Sequence, residues 1–259
     1  MIIVAYQGSK RKEVNHIKDY EPTSIDTFVD VFGGGANVSL FYLGRNINTI
    51  YNDVSIDMVR LLNILKNKTQ TKELIEEYNK IKDDNCVKLF YDIYDNVVIL
   101  SPACKFLYLS SCCFRSIITM RTPILRKPDN HIGKCKSIDY FIKFNDIFKD
   151  LEVFNDDYKI TLERYKDCYD FFLYLDPPYV SKNTKDYVKE FTINDLEYIK
   201  AFMLSCKCNV MLHIDFTGWT YFQFKDMIKS VYPVRYSMSN KKAEVKDIYC
   251  KYHCIITNY

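Results

Sequence analysis

Apolar positions in this chain follow two rhythms. Short, nearly continuous apolar runs read as buried strands. They are Ile25 to Phe32, Thr49-Ile50-Tyr51-Asn52, Phe171-Phe172-Leu173-Tyr174-Leu175 and Cys208 to Ile214. Weaker strand candidates are Leu151-Glu152-Val153-Phe154, Tyr158-Lys159-Ile160-Thr161 and Val231 to Met238, with Ile248 to Tyr252 and His253 to Thr257 as two closing strands. Between these runs the spacing turns helical. An opening helix reaches about Asp19 with Ser9 as its cap, and another runs from about Ala36 to Tyr42. Ile56 to Leu65 has a clean apolar face, and Thr71 to Lys82 carries Leu74, Tyr78 and Ile81 on one side, continued by Cys86 to Ile93. Ala103 to Ile118, Asn194 to Leu204 (opened by Thr192 or Asn194) and Trp219 to Ser230 complete the set. Strands alternating with helices on both sides of a helical stretch predict one α/β sheet interrupted by an insert. The boundaries fall at 1–65 and 151–259 for the sheet domain and 66–150 for the helical insert.

The punctuation of this pattern carries the chemistry. The strand ending in Asp30-Val31-Phe32 runs straight into Gly33-Gly34-Gly35 and then a helix. Glycines there let the backbone approach a ligand closely and expose helical N–H groups. Asp30, at the strand end, is placed to meet a cationic group. Asp53 closes the next strand, about 20 positions after Gly33, where an acidic residue holds a ribose hydroxyl pair in nucleotide-binding βαβ units. Asp53 or Ser55 equally suits the cap of the helix from Ile56. The run from Phe171 to Leu175 ends in Asp176-Pro177-Pro178-Tyr179. Two prolines forbid further ladder pairing. They leave a carboxylate, a stiff kink and an aromatic ring at the carboxyl end of a central strand, where ligands bind in open α/β sheets. Tyr179 reads either as a stacking face or as a core tyrosine on a kinked strand.

Composition narrows the class. With 48% hydrophobic and 27% charged residues, the chain is an ordinary globular one without extended disorder. A net charge of +3 is compatible with nucleic acid but short of the basic footprint of a dedicated binder. Met1-Ile2-Ile3-Val4-Ala5 is too short for a secretory leader and no apolar run is long enough to span a membrane, so the expected location is intracellular. The ten cysteines there read as free thiols. No pair has C-x-x-C spacing and His16, His131, His213 and His253 are scattered, so no metal is expected. Arg121, Arg126, Lys127, Lys134 and Lys136 sit among loop formers between Arg121 and Ser137. That stretch reads either as a substrate-recognition element or as a solvated loop.

Taken in order, these motifs resemble the Dam-type, D12-class site-specific DNA adenine methyltransferases that carry the Asp-Pro-Pro-Tyr motif. The likeness runs through Tyr6-Gln7-Gly8-Ser9-Lys10, Phe28 to Gly35, Asn52-Asp53, Phe106 to Phe114, Asp176 to Tyr179, Tyr187, Phe191-Thr192 and the closing Ile255-Ile256-Thr257-Asn258-Tyr259. The resemblance implies a Rossmann-like methyltransferase sheet, mixed and seven-stranded, with a helical DNA-recognition insert. It implies S-adenosyl-L-methionine as donor, with Tyr6 and Lys10 at its methionine end, Asp30, Phe32, Gly33, Gly34 and Gly35 along its methionine backbone, Asp53 on its ribose and Asp176 beside it. Asp176, Pro177 and Tyr179 become the catalytic residues. The resemblance also implies an adenine flipped from double-stranded DNA as substrate, and the expected assembly is a monomer or weak dimer. In the insert the likeness breaks: Arg115-Ser116-Ile117-Ile118-Thr119-Met120-Arg121 stands where the family has Asn-Gly-Leu and an arginine. Arg115 or Arg121 then takes the arginine's part in reading a guanine edge, with Arg126 and Lys127 as further DNA contacts. Leu212-His213-Ile214-Asp215 stands where the family has Ser-Asn. Other uses of such motifs remain open, namely methyl transfer to RNA or a protein amide, or a catalytically silent DNA-binding relative.

Overall fold

The computed structural model describes residues 3–4, 10–84, 86–113, 137–180, 191–236 and 249–259. The chain opens with a short helix, α1 (Val14–Lys18), then β1 (Thr27–Asp30), α2 (Asn37–Leu43), β2 (Asn48–Asn52) and α3 (Ile56–Leu65). Three further helices follow, α4 (Lys68–Asn79), α5 (Val87–Tyr94) and α6 (Pro102–Cys112), and after the undescribed 114–136 a 3-10 turn (Asp139–Lys143) leads into α7 (Phe144–Phe148). The second half runs β3 (Glu152–Phe154), α8 (Tyr158–Tyr165), β4 (Phe171–Leu175), α9 (Ile193–Ser205), β5 (Asn209–Asp215), α10 (Gly218–Phe224), β6 (Ile228–Tyr236) and β7 (Tyr249–Thr257).

The strands form one seven-stranded sheet in the order β3-β2-β1-β4-β5-β7-β6. The pairs from β3 to β5 are parallel, and β7 pairs antiparallel with both β5 and β6. The sheet is therefore mixed, as expected. Its central strands bury both faces: every residue of β1 is buried, and β4 is buried from Phe172 to Leu175. Phe28 joins one apolar cluster with Tyr42, Phe172 and Tyr174. Val29, one residue on, joins another on the opposite face with Leu173, Leu196, Ile199 and Phe202. This period-2 alternation is what a strand packed on both sides requires. Phe28 and Tyr42 stack with ring centroids 3.8 Å apart, worth about 0.5–1.5 kcal/mol beyond area burial.

The helices between α3 and β3 share one apolar cluster with α3: Leu61, Leu62 and Leu65 meet Leu74, Phe90, Leu107, Phe141 and Phe144. Asn145 ties this layer together, donating to the Leu65 carbonyl at 2.9 Å and the Thr71 hydroxyl at 2.8 Å.

Four sequence expectations are corrected. Tyr158-Lys159-Ile160-Thr161 is not a strand but the start of α8. Asp157 accepts from the Lys159 N–H at 3.0 Å, and Tyr158, Thr161, Leu162 and Tyr165 form its buried stripe. The helix expected to reach Ser230 stops at Phe224, and Ser230 lies in β6. The two closing strands are the single strand β7. The opening helix begins only at Val14, with no side-chain cap; Ser9 lies outside the described residues.

Candidate active site

Everything the sequence singled out at strand ends meets along one edge, the carboxyl ends of β2, β1 and β4. Register places Asp30 beside Tyr51 on one side and Tyr174 on the other. The glycine loop leaves β1 here and is held against β2. Gly33 donates its N–H to the Asn52 carbonyl at 2.8 Å. A Cβ at Gly33 would stand 2.2 Å from Cε2 of Tyr51, so only glycine lets the loop lie on that ring. The Tyr51 hydroxyl donates to the Gly34 carbonyl at 2.8 Å, and Gly34 itself takes a left-handed φ of 46°. The Gly35 carbonyl accepts from the Asn37 amide at 3.3 Å. Phe32 packs between Tyr158 and Phe191, with centroids 5.2 and 6.0 Å away.

Asp53 holds this loop in place. One carboxylate oxygen accepts the Gly34 N–H and the other the Ser55 N–H, both at 2.7 Å. The cap of α3 is Ser55, whose hydroxyl accepts from the Met58 N–H at 3.5 Å. Burial raises the Asp53 pKa, against those two N–H bonds. Asp30 is 1% exposed and its Oδ2 accepts the Ser39 hydroxyl at 2.6 Å and the Ser39 N–H at 3.2 Å. Burial, with the charges of Asp176 and Asp53 nearby, pushes its carboxyl up to about 7 despite Ser39.

Asp176 stands just beyond the end of β4, because Pro177 and Pro178 lack the N–H that would extend the ladder. Lys10 caps it: Nζ lies 2.6 Å from both carboxylate oxygens, with side chains 4% and 17% exposed. The same ammonium lies over the Tyr179 ring, 5.2 Å from its centroid. Tyr179 is 6% exposed, so the face expected to stack a base is covered by Lys10. Pro177 is buried. Lys10, Asp30, Phe32, Gly33, Gly34, Gly35, Asp53, Asp176, Pro177 and Tyr179 are thus brought together at one edge. Tyr6, Tyr187 and the expected DNA contacts Arg115, Arg121, Arg126 and Lys127 lie outside the described residues.

Behind Lys10 and Asp176 lies a buried polar cluster that sequence reasoning missed. Two of the histidines scattered in sequence come together in space. His213 of β5 and His253 of β7 meet Glu13, which follows Lys10 by one turn and donates its N–H to the Lys10 carbonyl at 2.7 Å. Oε2 of Glu13 accepts from the Tyr232 hydroxyl at 2.6 Å and from His253 Nδ1 at 3.0 Å, with His213 Nε2 at 3.3 Å. The available signal was a histidine inside the apolar run Leu212-His213-Ile214, since a buried ring nitrogen requires a partner.

A mixed, predominantly parallel sheet with a glycine loop, an acidic second strand and Asp-Pro-Pro-Tyr at one edge defines a Rossmann-like methyltransferase. The chain belongs to the D12 class N6 adenine-specific DNA methyltransferase family, whose model matches residues 6–256. It is 25% identical over 267 aligned residues to the Type II methyltransferase M.CviBI of Paramecium bursaria Chlorella virus NC1A, covering 99% of both proteins. The Type II methyltransferase M.FokI of Planomicrobium okeanokoites matches 35% of this chain at 37% identity, over 15% of its own length. The modification methylase StsI of Streptococcus sanguinis matches 68% of the chain at 25% identity, over 28% of its own length. No described helix is long and apolar enough to cross a membrane.

Proposed function

We propose that this DNA adenine methyltransferase uses S-adenosyl-L-methionine, held along the β1–β2 edge, to methylate the exocyclic amino group of an adenine flipped out of duplex DNA. The observation that carries this is the convergence of Asp30, Asp53 and Asp176 on one sheet edge, with Asp30 pushed up to about 7 by burial and by the other two charges. Such an edge favours a cationic ligand, and bound S-adenosyl-L-methionine supplies its methyl group from a sulfonium cation. Gly33, Gly34 and Gly35 carry no side chains, which suits a ligand lying on the backbone of this loop. In this reading Asp30 faces the donor's methionine portion along Phe32, Gly33, Gly34 and Gly35. Asp53, already bonded to Gly34 and Ser55, keeps further lone pairs for a ribose. Tyr6 and Lys10 hold the methionine end.

The adenine amino group is a poor nucleophile because its lone pair is delocalised into the ring. Asp176 and the Pro177 carbonyl accept its two hydrogens and turn the nitrogen towards tetrahedral geometry, with the lone pair aimed at the donor. An ionised Asp176 also stabilises the positive charge that grows on nitrogen. Lys10 holds that carboxylate in place, and a carboxylate has about four lone-pair sites, enough for Lys10 and an incoming N–H together. Tyr179 offers a ring to the flipped base once Lys10 moves aside, worth about 1–3 kcal/mol towards the cost of flipping. Residues 66–150 act as the recognition insert in this reading. Arg115 or Arg121 reads a base edge and Arg126 and Lys127 meet phosphates. The enzyme works as a monomer or weak dimer, and its place is the modification arm of a restriction–modification pair, as the names of its relatives suggest. Incubation with methyl-labelled donor and duplex DNA, RNA or protein tests this. Label in the duplex, recovered as N6-methyladenine after digestion, is expected; label in RNA or protein alone overturns it.

A further inference from the structure

The cluster behind the site holds four groups from four elements: Glu13 ahead of α1, His213 on β5, His253 on β7 and Tyr232 on β6. His213 is fully buried and His253 is 1% exposed. Tyr174 of β4 adds a fifth, its hydroxyl 2.7 Å from His213 Nδ1, and Tyr232 Oη lies 2.6 Å from His213 Nε2. One proton arrangement satisfies all of them. Tyr174 donates to His213 Nδ1, and His213 Nε2–H points at Tyr232 Oη and Glu13. Tyr232 and His253 Nδ1–H donate to the Glu13 carboxylate. Burial lowers the His213 pKa, the direction that favours the neutral ring of this arrangement. Burial alone would raise the Glu13 pKa, but the bonds from His213 and His253 reverse it and hold the carboxyl well below the usual range.

The three potential ligand atoms of Glu13, His213 and His253 lie within 4.8 Å of one another, a spacing a metal ion also accepts. The hydrogen bonds favour the other use. Tyr232 Oη closes between Glu13 and His213, and each donor then has an acceptor with no ion needed. The cluster also touches the site at two points. The Glu13 N–H closes the turn on the Lys10 carbonyl, and the His253 ring stands edge-on to Tyr179 with centroids 5.2 Å apart. The β4–β5 register, Leu175 opposite Leu212, brings His213 alongside Asp176.

We infer that Glu13 is a positioning residue: anchored to β5, β6 and β7 by His213, Tyr232 and His253, its carboxylate fixes the turn that delivers the Lys10 ammonium to Asp176 and Tyr179. The inference rests on the assignment of Lys10 to the donor and Asp176 pocket. Its chemistry is geometric, since both histidines are buried. A carboxylate with three donors has one place to sit, and the backbone three residues away inherits that place.

The test is a double-mutant cycle of Glu13→Gln and Lys10→Met, read by calorimetric binding of S-adenosyl-L-methionine and by the KM for donor and DNA. Each single variant should weaken donor binding, on the order of tenfold to a hundredfold, as small misplacements at a reacting site do. The double variant should be no worse than Lys10→Met, because Glu13 acts through Lys10. Tyr232→Phe, which removes one donor and keeps the ring, should weaken binding less than Glu13→Gln while leaving the melting temperature near that of wild type. Multiplying effects in the double variant would overturn the inference, leaving Glu13 as a stabiliser of the fold. Stoichiometric zinc or iron carried through purification by the wild type and lost in Glu13→Gln would also overturn it, making the three groups ligands. A wild type that binds no donor, or Lys10→Met that binds it normally, contradicts instead the placement of Lys10.

Discussion

Single residues decide how this edge balances stability against binding. Asp30 is the clearest case. Its carboxyl is pushed up to about 7 from 3.8 by burial and by Asp176 and Asp53, against the bonds from Ser39. A raised carboxyl pKa favours the folded state fully below pH 3.8, and that advantage is lost as pH climbs to about 7. Keeping Asp30 ionised at pH 8 therefore costs the fold roughly 4 kcal/mol. Asp30→Asn preserves the acceptor for Ser39 and removes the charge. It should raise the melting temperature at pH 8 and leave it unchanged near pH 4, while weakening donor binding; calorimetry at both pH values checks each part. In the wild type, donor affinity should rise from pH 6 to pH 8 as Asp30 ionises, and Asp30→Asn should flatten that rise. Asp30, Asp53, Asp176 and the glycines were legible in the sequence because strand ends and turns are local signals. The cluster of Glu13, His213 and His253 was not. Its members lie far apart along the chain: the β5–β7 pairing, which places His253 opposite Asp215, brings the two histidines together, and Glu13 joins them from the turn before α1.

At the scale of elements, strong local rules made boundaries readable and short apolar runs did not. The helix α3 begins and ends at the expected Ile56 and Leu65, because a serine cap precedes five buried residues at helical spacing. The strand of the Asp-Pro-Pro-Tyr motif, β4, also has its expected bounds, set by prolines that end pairing. The misread α8 is a short segment whose alternation suits a strand as well as a helix. The Asp157 cap decides it, supported by Arg164, whose guanidinium lies 2.6 Å from Asp156. Asp157→Ala should thus cost about 1 kcal/mol, the usual loss of an N-cap. Denaturant melts would show it as a lower midpoint with the slope unchanged. Because Tyr158 of α8 packs on Phe32, donor binding should weaken only slightly. The long α10 expected from Trp219 failed for the opposite reason. Nothing in Phe224 to Ser230 forbids a helix locally, and pairing with β7 claims the segment for β6.

For the whole molecule, the order β3-β2-β1-β4-β5-β7-β6 puts β1 and β4 side by side at the centre. The glycine loop and Asp176 leave neighbouring strands at the same edge, and their separation in sequence by the helical layer disappears. That juxtaposition, together with family membership over residues 6–256, is the ground for assigning methyl transfer to this edge. The alternation of strands and helices was enough to anticipate the sheet. The target sequence was not legible, since the resemblance breaks from Arg115 to Arg121, the stretch expected to read DNA. In the proposed mechanism Asp176 activates the adenine amino group, and comparing wild type with Asp176→Ala for transfer of labelled methyl from S-adenosyl-L-methionine to duplex DNA tests this most directly. N6-methyladenine is expected from the wild type and a rate lower by about 10²–10³ or more from the variant, the usual cost of losing one preorganised electrostatic partner, with donor still bound. Full transfer by Asp176→Ala would contradict it.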